Sequence, residues 1–176
     1  MKRLFLLGLL LVAVSLTGCA LTKDFTLTLE RTFNVNYNGT SYAMQNDVDA
    51  TEASSDFEKY VSDLESVKIE EVTYLVSNFT GPATQKIVSA KLQVGPTDGS
   101  APTDLASMAD VVLASVAGEE QSLNTSNAGE DELEDLLLKG DHKARIYFTG
   151  TANQAPVKFT IKFTVECKVK YEKKLI

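Results

Sequence analysis

Val157-Lys158-Phe159-Thr160-Ile161-Lys162-Phe163-Thr164-Val165-Glu166-Cys167-Lys168-Val169-Lys170-Tyr171 alternates apolar and polar residues without a break. Successive side chains of an extended chain point to opposite faces, so this run predicts a long strand with one buried face and one wet face. The buried face carries Phe159, Ile161, Phe163, Val165, Cys167 and Val169; the other carries Thr160, Lys162, Thr164, Glu166, Lys168 and Lys170. A parallel sheet would show continuous apolar runs instead, so the pattern favours antiparallel sheets.

The same period recurs upstream. Phe25, Leu27, Leu29, Phe33, Val35 and Tyr37 share one face of a strand, with Arg31 as the exception on it. Asn38-Gly39 follows, and that dipeptide favours a two-residue hairpin turn with a return strand over 40–45. Val67 to Phe79 reads as a strand whose phase slips by one residue at Glu70-Glu71, as a β-bulge would require. Val88, Ala90, Leu92 and Val94 mark another strand, and Ala144, Ile146 and Phe148 another, followed by a hairpin-sized loop over 150–156. Residues 46–55 read as a polar loop. Within 104–117 the reading is a helical turn and then a strand over 110–117.

Two stretches have helical spacing. Ser55 and Glu58 form a capping box before Phe57, Tyr60, Val61 and Leu64, predicting a helix over 56–65. Acidic residues open 130–139, Leu133, Leu136 and Leu137 share a face, and Lys139-Gly140 closes it. About seven strands and two short helices predict an all-β fold. It is expected to be a two-sheet antiparallel sandwich, immunoglobulin-like in outline, with the two helices in crossover connections.

The amino terminus carries a different signal. Lys2 and Arg3 precede an apolar run from Leu4 to Leu16, and Leu16-Thr17-Gly18-Cys19 follows at its end. The run is too short for a bilayer span, which needs about 20 residues. The segment resembles a bacterial lipoprotein signal with its lipobox. That resemblance implies removal of residues 1–18 and lipidation of Cys19. Residues 19–24 are then the lipidated Cys and a short tether, and 25–176 a single β-sandwich domain. It also implies attachment to a membrane outside the cytoplasm, and to the outer membrane in a Gram-negative host, since Ala20 and not Asp follows the Cys.

Removing Lys2 and Arg3 from the chain's 17 basic residues leaves 15 against 24 acidic ones, a net charge of −9. Such a surface repels nucleic acid and anionic headgroups, so attachment is expected through acyl chains and nucleic acid is not expected as a partner. With Cys19 acylated, Cys167 has no second cysteine to pair with, and its apolar face makes it a buried small hydrophobe.

Asp47, Asp49, Thr51, Ser55 and Glu58 fall on oxygen-bearing positions of a calcium loop counted from Asp47. Glu52 stands where that loop turns on glycine, and a strand precedes it. Asp47, Asp49 and Glu58 are therefore weak metal candidates, and a solvated loop capping a helix is the favoured reading. No nucleophile elbow, phosphate cradle or His/Cys metal spacing is present, and the chain has one His and no Trp. No cofactor is expected and the chain is not read as an enzyme. The expected function is a membrane-anchored, non-catalytic binding or structural module with an envelope protein or polymer as partner. The alternatives are a carrier for a lipid or hydrophobic ligand between the sheets, and an envelope hydrolase using acidic residues.

Overall fold

The computed structural model describes residues 21–173. Among these residues, eight strands form two antiparallel four-stranded sheets. In chain order the elements are β1 (Leu21–Tyr37), β2 (Ser41–Asp49), α1 (Ala50–Ala53), α2 (Ser55–Tyr60), a 3-10 turn (Val61–Asp63), β3 (Leu64–Ser77), β4 (Lys86–Gly95) and β5 (Thr103–Val112). Then come α3 (Leu113–Val116), β6 (Glu120–Ser122), α4 (Asn127–Leu138), β7 (Lys143–Ala152) and β8 (Val157–Lys173). One sheet has the order β1-β8-β3-β6, the other β2-β7-β4-β5.

The pairing is nested: β1 with β8, β2 with β7, β3 with β6, β4 with β5. This is the pattern of one long hairpin folded over on itself, a jelly roll, and not the immunoglobulin-like order expected from sequence. Only β4 and β5 are consecutive partners in one sheet; every other connection crosses between sheets. The two connections that read as hairpins are therefore corners. Asn38-Gly39 passes from β1 to β2 in the opposite sheet, and neither residue has positive φ. Residues 153–156 pass from β7 to β8 in the same way. Continuous pairing of β1 with β8, from Leu21↔Lys173 to Tyr37↔Val157, outweighs a local turn preference.

The inward face of β8 is buried as the alternation predicts: Phe159, Ile161, Phe163, Val165, Cys167 and Val169 all lie in the core. Phe33, Tyr42, Phe148, Phe159 and Phe163 form its aromatic centre, with the Phe148 and Phe163 rings 5.1 Å apart and edge-on. The phase slip in β3 is a real bulge, with the register shifting between Ile69 and Glu71. At the bulge the Ile69 N–H donates to Glu134 Oε1 of α4 at 2.9 Å. A second shift, between Ile87 and Ser89, buries Ile87 and leaves Val88 40% exposed, reversing the phase expected there.

Several boundaries move. β1 begins at Leu21, so residues 21–24, expected as tether, are in the sheet and paired with β8. Residues 46–49 continue β2, because Val48 still has core to fill. The helix expected over 56–65 is α2, capped by Ser54 and not Ser55: Ser54 Oγ accepts from the Phe57 N–H at 3.3 Å, and Leu64 already belongs to β3. Residues 103–116 run strand first and then one helical turn, the reverse of the expected order, since Leu105, Ala106 and Met108 pack into the core beside β4. The second helix starts earlier, at Asn127, with Ser126 as its cap. Gly129 lets α4 lie against β5: a β-carbon there would sit 2.4 Å from the Asp104 carbonyl oxygen.

Candidate functional site: an uncharged surface at one end of the sandwich

Cys19 lies outside the described residues. The structure separates the acidic candidates. Asp47 takes a two-pronged pair from Arg145, at 2.6 and 2.9 Å. That guanidinium holds the Asp47 carboxyl below the usual carboxylate range. Asp49 caps α1, accepting from the Thr51 N–H and hydroxyl, and pairs with Lys143 at 2.9 Å. These bonds, the Thr51 hydroxyl first, bring its pKa down to about 2. Glu58 is exposed on α2. Among the described residues no group of three or more His, Cys, Asp or Glu side chains is placed to hold a metal ion.

Cys167 is buried, and burial pushes its thiol up to about 12, so the nucleophilic thiolate is not populated near neutrality. His142 is committed elsewhere: its Nδ1 lies 2.8 Å from the Leu137 carbonyl oxygen and its ring packs edge-on against Phe57. Between the sheets, Leu29, Arg31, Val48, Leu92, Leu105, Leu133, Ile146, Phe163 and Val165 enclose a void of about 10 Å³. That is room for about one water, against several hundred Å³ for a small-molecule site. An acyl chain does not fit there.

Charge-free stretches cluster at one end of the sandwich, although 121–129, which runs past Leu105 and Ala106 of β5, is charge-free as well. Residues 36–46, 77–85, 111–118 and 146–157 contain no Asp, Glu, Lys or Arg, in a chain that is 23% charged. These segments are far apart in sequence. The topology gathers their loops at one end, where β1, β3, β5 and β7 finish and β2, β4 and β8 begin. The uncharged surface continues onto the outer face of the second sheet. There Ser41, Thr151, Ser89 and Ala109 form one cross-strand row; in the next, Ala43, Thr149 and Ser107 flank Lys91, which pairs with Asp104 and marks the border of the uncharged area. An open depression of about 310 Å³ lies over Gly150, bordered by Ser89, Lys91, Thr149 and Thr151. Val88 and Val112, 40% and 37% exposed, add apolar area.

The loops of this end are held by hydrogen bonds. Gln85 is fully buried, and its Nε2 donates to the main-chain oxygens of Gln154 at 2.8 Å and Pro156 at 2.9 Å. Its main-chain carbonyl accepts from the Leu113 N–H. Asn153 Oδ1 accepts from the Lys86 N–H, and Asn153 Nδ2 donates to the Thr84 carbonyl. Gln85 thus ties three of the four uncharged segments, one through its side-chain amide and one through its main-chain carbonyl, in addition to its own. A binding surface built this way loses little conformational entropy when a partner docks.

No protein-family model and no curated protein matches the chain. Among solved structures it is similar to one titled Desmodium yellow mottle tymovirus (9% identity, TM-score 0.43, covering all of this chain and 94% of that one). It is also similar to one of turnip yellow mosaic virus (12%, TM-score 0.42, 99% and 92% covered). A third is a decameric BFDV capsid protein (11%, TM-score 0.41, 85% and 99% covered). At such identities and scores these likenesses carry no functional argument, and the jelly-roll assignment rests on the strand pairing itself.

Sequence reasoning missed this surface. The absence of charge in each segment was readable, but nothing local says that four separated segments converge. Three of those segments read as hairpin, turn or strand, each with its own sufficient explanation.

Proposed function

We propose that the chain is a lipid-anchored, non-catalytic binding module of a bacterial cell envelope, acylated at Cys19 and contacting a partner protein through its uncharged end. The observation that carries this reading is the convergence of four charge-free segments on a pre-ordered loop cluster. The centres of protein–protein interfaces are depleted of charged residues, because a buried charge must be desolvated. Val88, Val112 and the small side chains around Gly150 supply apolar area and close approach. A neutral envelope polymer is the weaker reading, since sugar rings favour broad aromatic platforms and this face offers small hydroxyl side chains.

The test places a photo-crosslinking residue at Val88 or Ala155, and as a control at Lys168, in the living envelope. Adducts with one protein from the first two positions and not from the third support the reading. They should disappear in Val88→Glu with an unchanged melting temperature. Uniform or absent adducts overturn it, and adducts with polymer in place of protein favour the second reading.

A further inference from the structure

Among the described residues the sandwich has four sheet edges, β1 and β6 in the first sheet, β2 and β5 in the second. An edge strand presents a row of unpaired main-chain N–H and C=O groups that another chain can join, and proteins guard such rows. Three of the four are guarded. β6 is only Glu120–Ser122. Along β5, Thr125 bridges to Ala106 and the Ser126 N–H donates to the Leu105 carbonyl; the row then breaks at Asp110, whose φ is +55°. Along β2, side chains of β1 take the carbonyls: Tyr37 Oη donates to Ala43 at 2.7 Å, and Arg31 Nε to Asp47. β1 itself is the exception. It runs for 17 residues, and its register with β8 has no shift, so no bulge bends it away. Among the described residues no main-chain hydrogen bond reaches β1 from any element but β8, and the one side-chain donor to its carbonyls is Arg31 Nη1, on Glu30. An open depression of about 470 Å³ lies between Thr28, Glu30 and Arg31 of this strand and Ala53 of α1, so the helix leaves the edge uncovered there.

We propose that this edge joins a second copy of the chain, β1 to β1, antiparallel about a two-fold axis at Leu29. That register pairs the whole strand, from Leu21 opposite the second copy's Tyr37 to Tyr37 opposite its Leu21. Directly opposite residues share a face, so inward side chains stay beside inward ones and outward beside outward. No like charges meet: Lys23 stands opposite Val35, Asp24 opposite Asn34, Glu30 opposite Thr28 and Arg31 opposite Leu27. Asp24 and Glu30 are moreover paired within the chain, with Lys168 and Lys162. Any other axis leaves one end of the strand unpaired, and an axis at Leu27 also sets Lys23 against Arg31 and Asp24 against Glu30. Alternate rows of an antiparallel pair each exchange two main-chain hydrogen bonds, which gives about 16 across the joint. The strand matches itself over its full length, which selects a second copy over a shorter foreign segment. The inference is independent of lipidation at Cys19. Antiparallel order places the two uncharged loop clusters at opposite ends of the joint, about 55 Å apart. Two acylated amino termini reach one bilayer with the joined strands lying along it.

The test uses the full chain in detergent micelles. Light scattering corrected for bound detergent should give two chains per particle. A nitroxide amino acid replaces Thr32 or, in a second preparation, Asn36, both exposed on the outer face of β1. Pulsed electron resonance should read about 20 Å between the paired labels at 32 and about 48 Å at 36, since each label lies from its copy at twice its distance from the axis. Asn34→Asp keeps the oxygen that accepts from Thr160 Oγ1 and sets a carboxylate opposite the second copy's Asp24, twice by symmetry. It should weaken the dimer about tenfold, and Asn34→Lys should tighten it. One chain per particle at high protein concentration overturns the proposal, and so does a dimer with equal label distances at 32 and 36. Asn34 variants that leave the dissociation constant unchanged, or move it in one direction, overturn it as well. Each of these outcomes leaves the lipidation reading standing.

Discussion

The Tyr42 ring occupies the space that a side chain on Gly150 would fill. A β-carbon on Gly150 would lie 2.4 Å from Tyr42 Oη, 2.6 Å from Tyr42 Cζ and 2.9 Å from the Ala90 β-carbon. The two residues are cross-strand neighbours, β2 to β7, in the row that continues to Ala90 of β4. Absence of a side chain on one strand lets an aromatic ring lie flat on the sheet from the next. Gly150→Ala should therefore destabilise the fold by about 1–3 kcal/mol, the usual range for overpacking a core. Tyr42→Phe should not rescue it, because Cζ remains in the way. Equilibrium urea unfolding of both single variants and the double variant checks this.

Tyr42 has a second consequence. Its hydroxyl is buried with no hydrogen-bond partner among the described residues, and burial raises its pKa. Removing an unsatisfied buried hydroxyl recovers its desolvation cost, so Tyr42→Phe alone should raise stability by about 1 kcal/mol. A lower urea midpoint for this variant would show that the hydroxyl is satisfied in solution.

The loop staple at Gln85 gives a graded pair. Gln85→Ala removes both donors to the Gln154 and Pro156 carbonyls and should cost about 2 kcal/mol. Gln85→Glu should cost more, since a carboxylate oxygen then faces two carbonyl oxygens in a buried site. Amide exchange of the Leu113 N–H, which donates to the main-chain carbonyl of residue 85, should rise in both variants as the segment loosens, and more in the second.

The core face of β8 predicts sharp contrast between neighbours. Phe163→Ala should cost about 3–5 kcal/mol through lost burial and the cavity left beside Phe33 and Phe148. Lys162→Ala, which breaks an exposed pair with Glu30, should change stability by less than about 0.5 kcal/mol. Cys167 should resist thiol reagents in the folded protein and react once it unfolds. Modification in native buffer, followed by mass, would contradict its placement.

Acid sensitivity should arise partly at Asp49. Its folded pKa, about 2, lies below the unfolded value near 4. The charged form is thus favoured by folding. The contribution is complete above pH 4 and is lost as pH falls from about 4 to 2. Asp49→Ala should lower stability at pH 7 by about 1 kcal/mol, the cost of a lost helix cap. The gap between variant and wild type should close in that acid window.

Periodicity alone determined the elements with the longest patterns: β1, β8, the bulged β3 and the helix ending at Leu138. Their alternation or helical spacing reflects burial on one face, which any sheet arrangement would demand. The sheet to which each strand belongs was decided only by tertiary structure, as Asn38-Gly39 shows: a strong hairpin dipeptide became a corner once β1 found β8 as a better partner along its whole length. Short β6 was illegible for a related reason. Its three residues carry no period of their own and pair only because β3 offers an edge. The candidate surface followed the same division. Each charge-free segment is plain in the sequence, but four of them make one face only when nested pairing brings their ends together. Pairing energy between distant strands has no local signature, so the chain's pattern fixes what is buried, while the partner each strand finds fixes what is displayed.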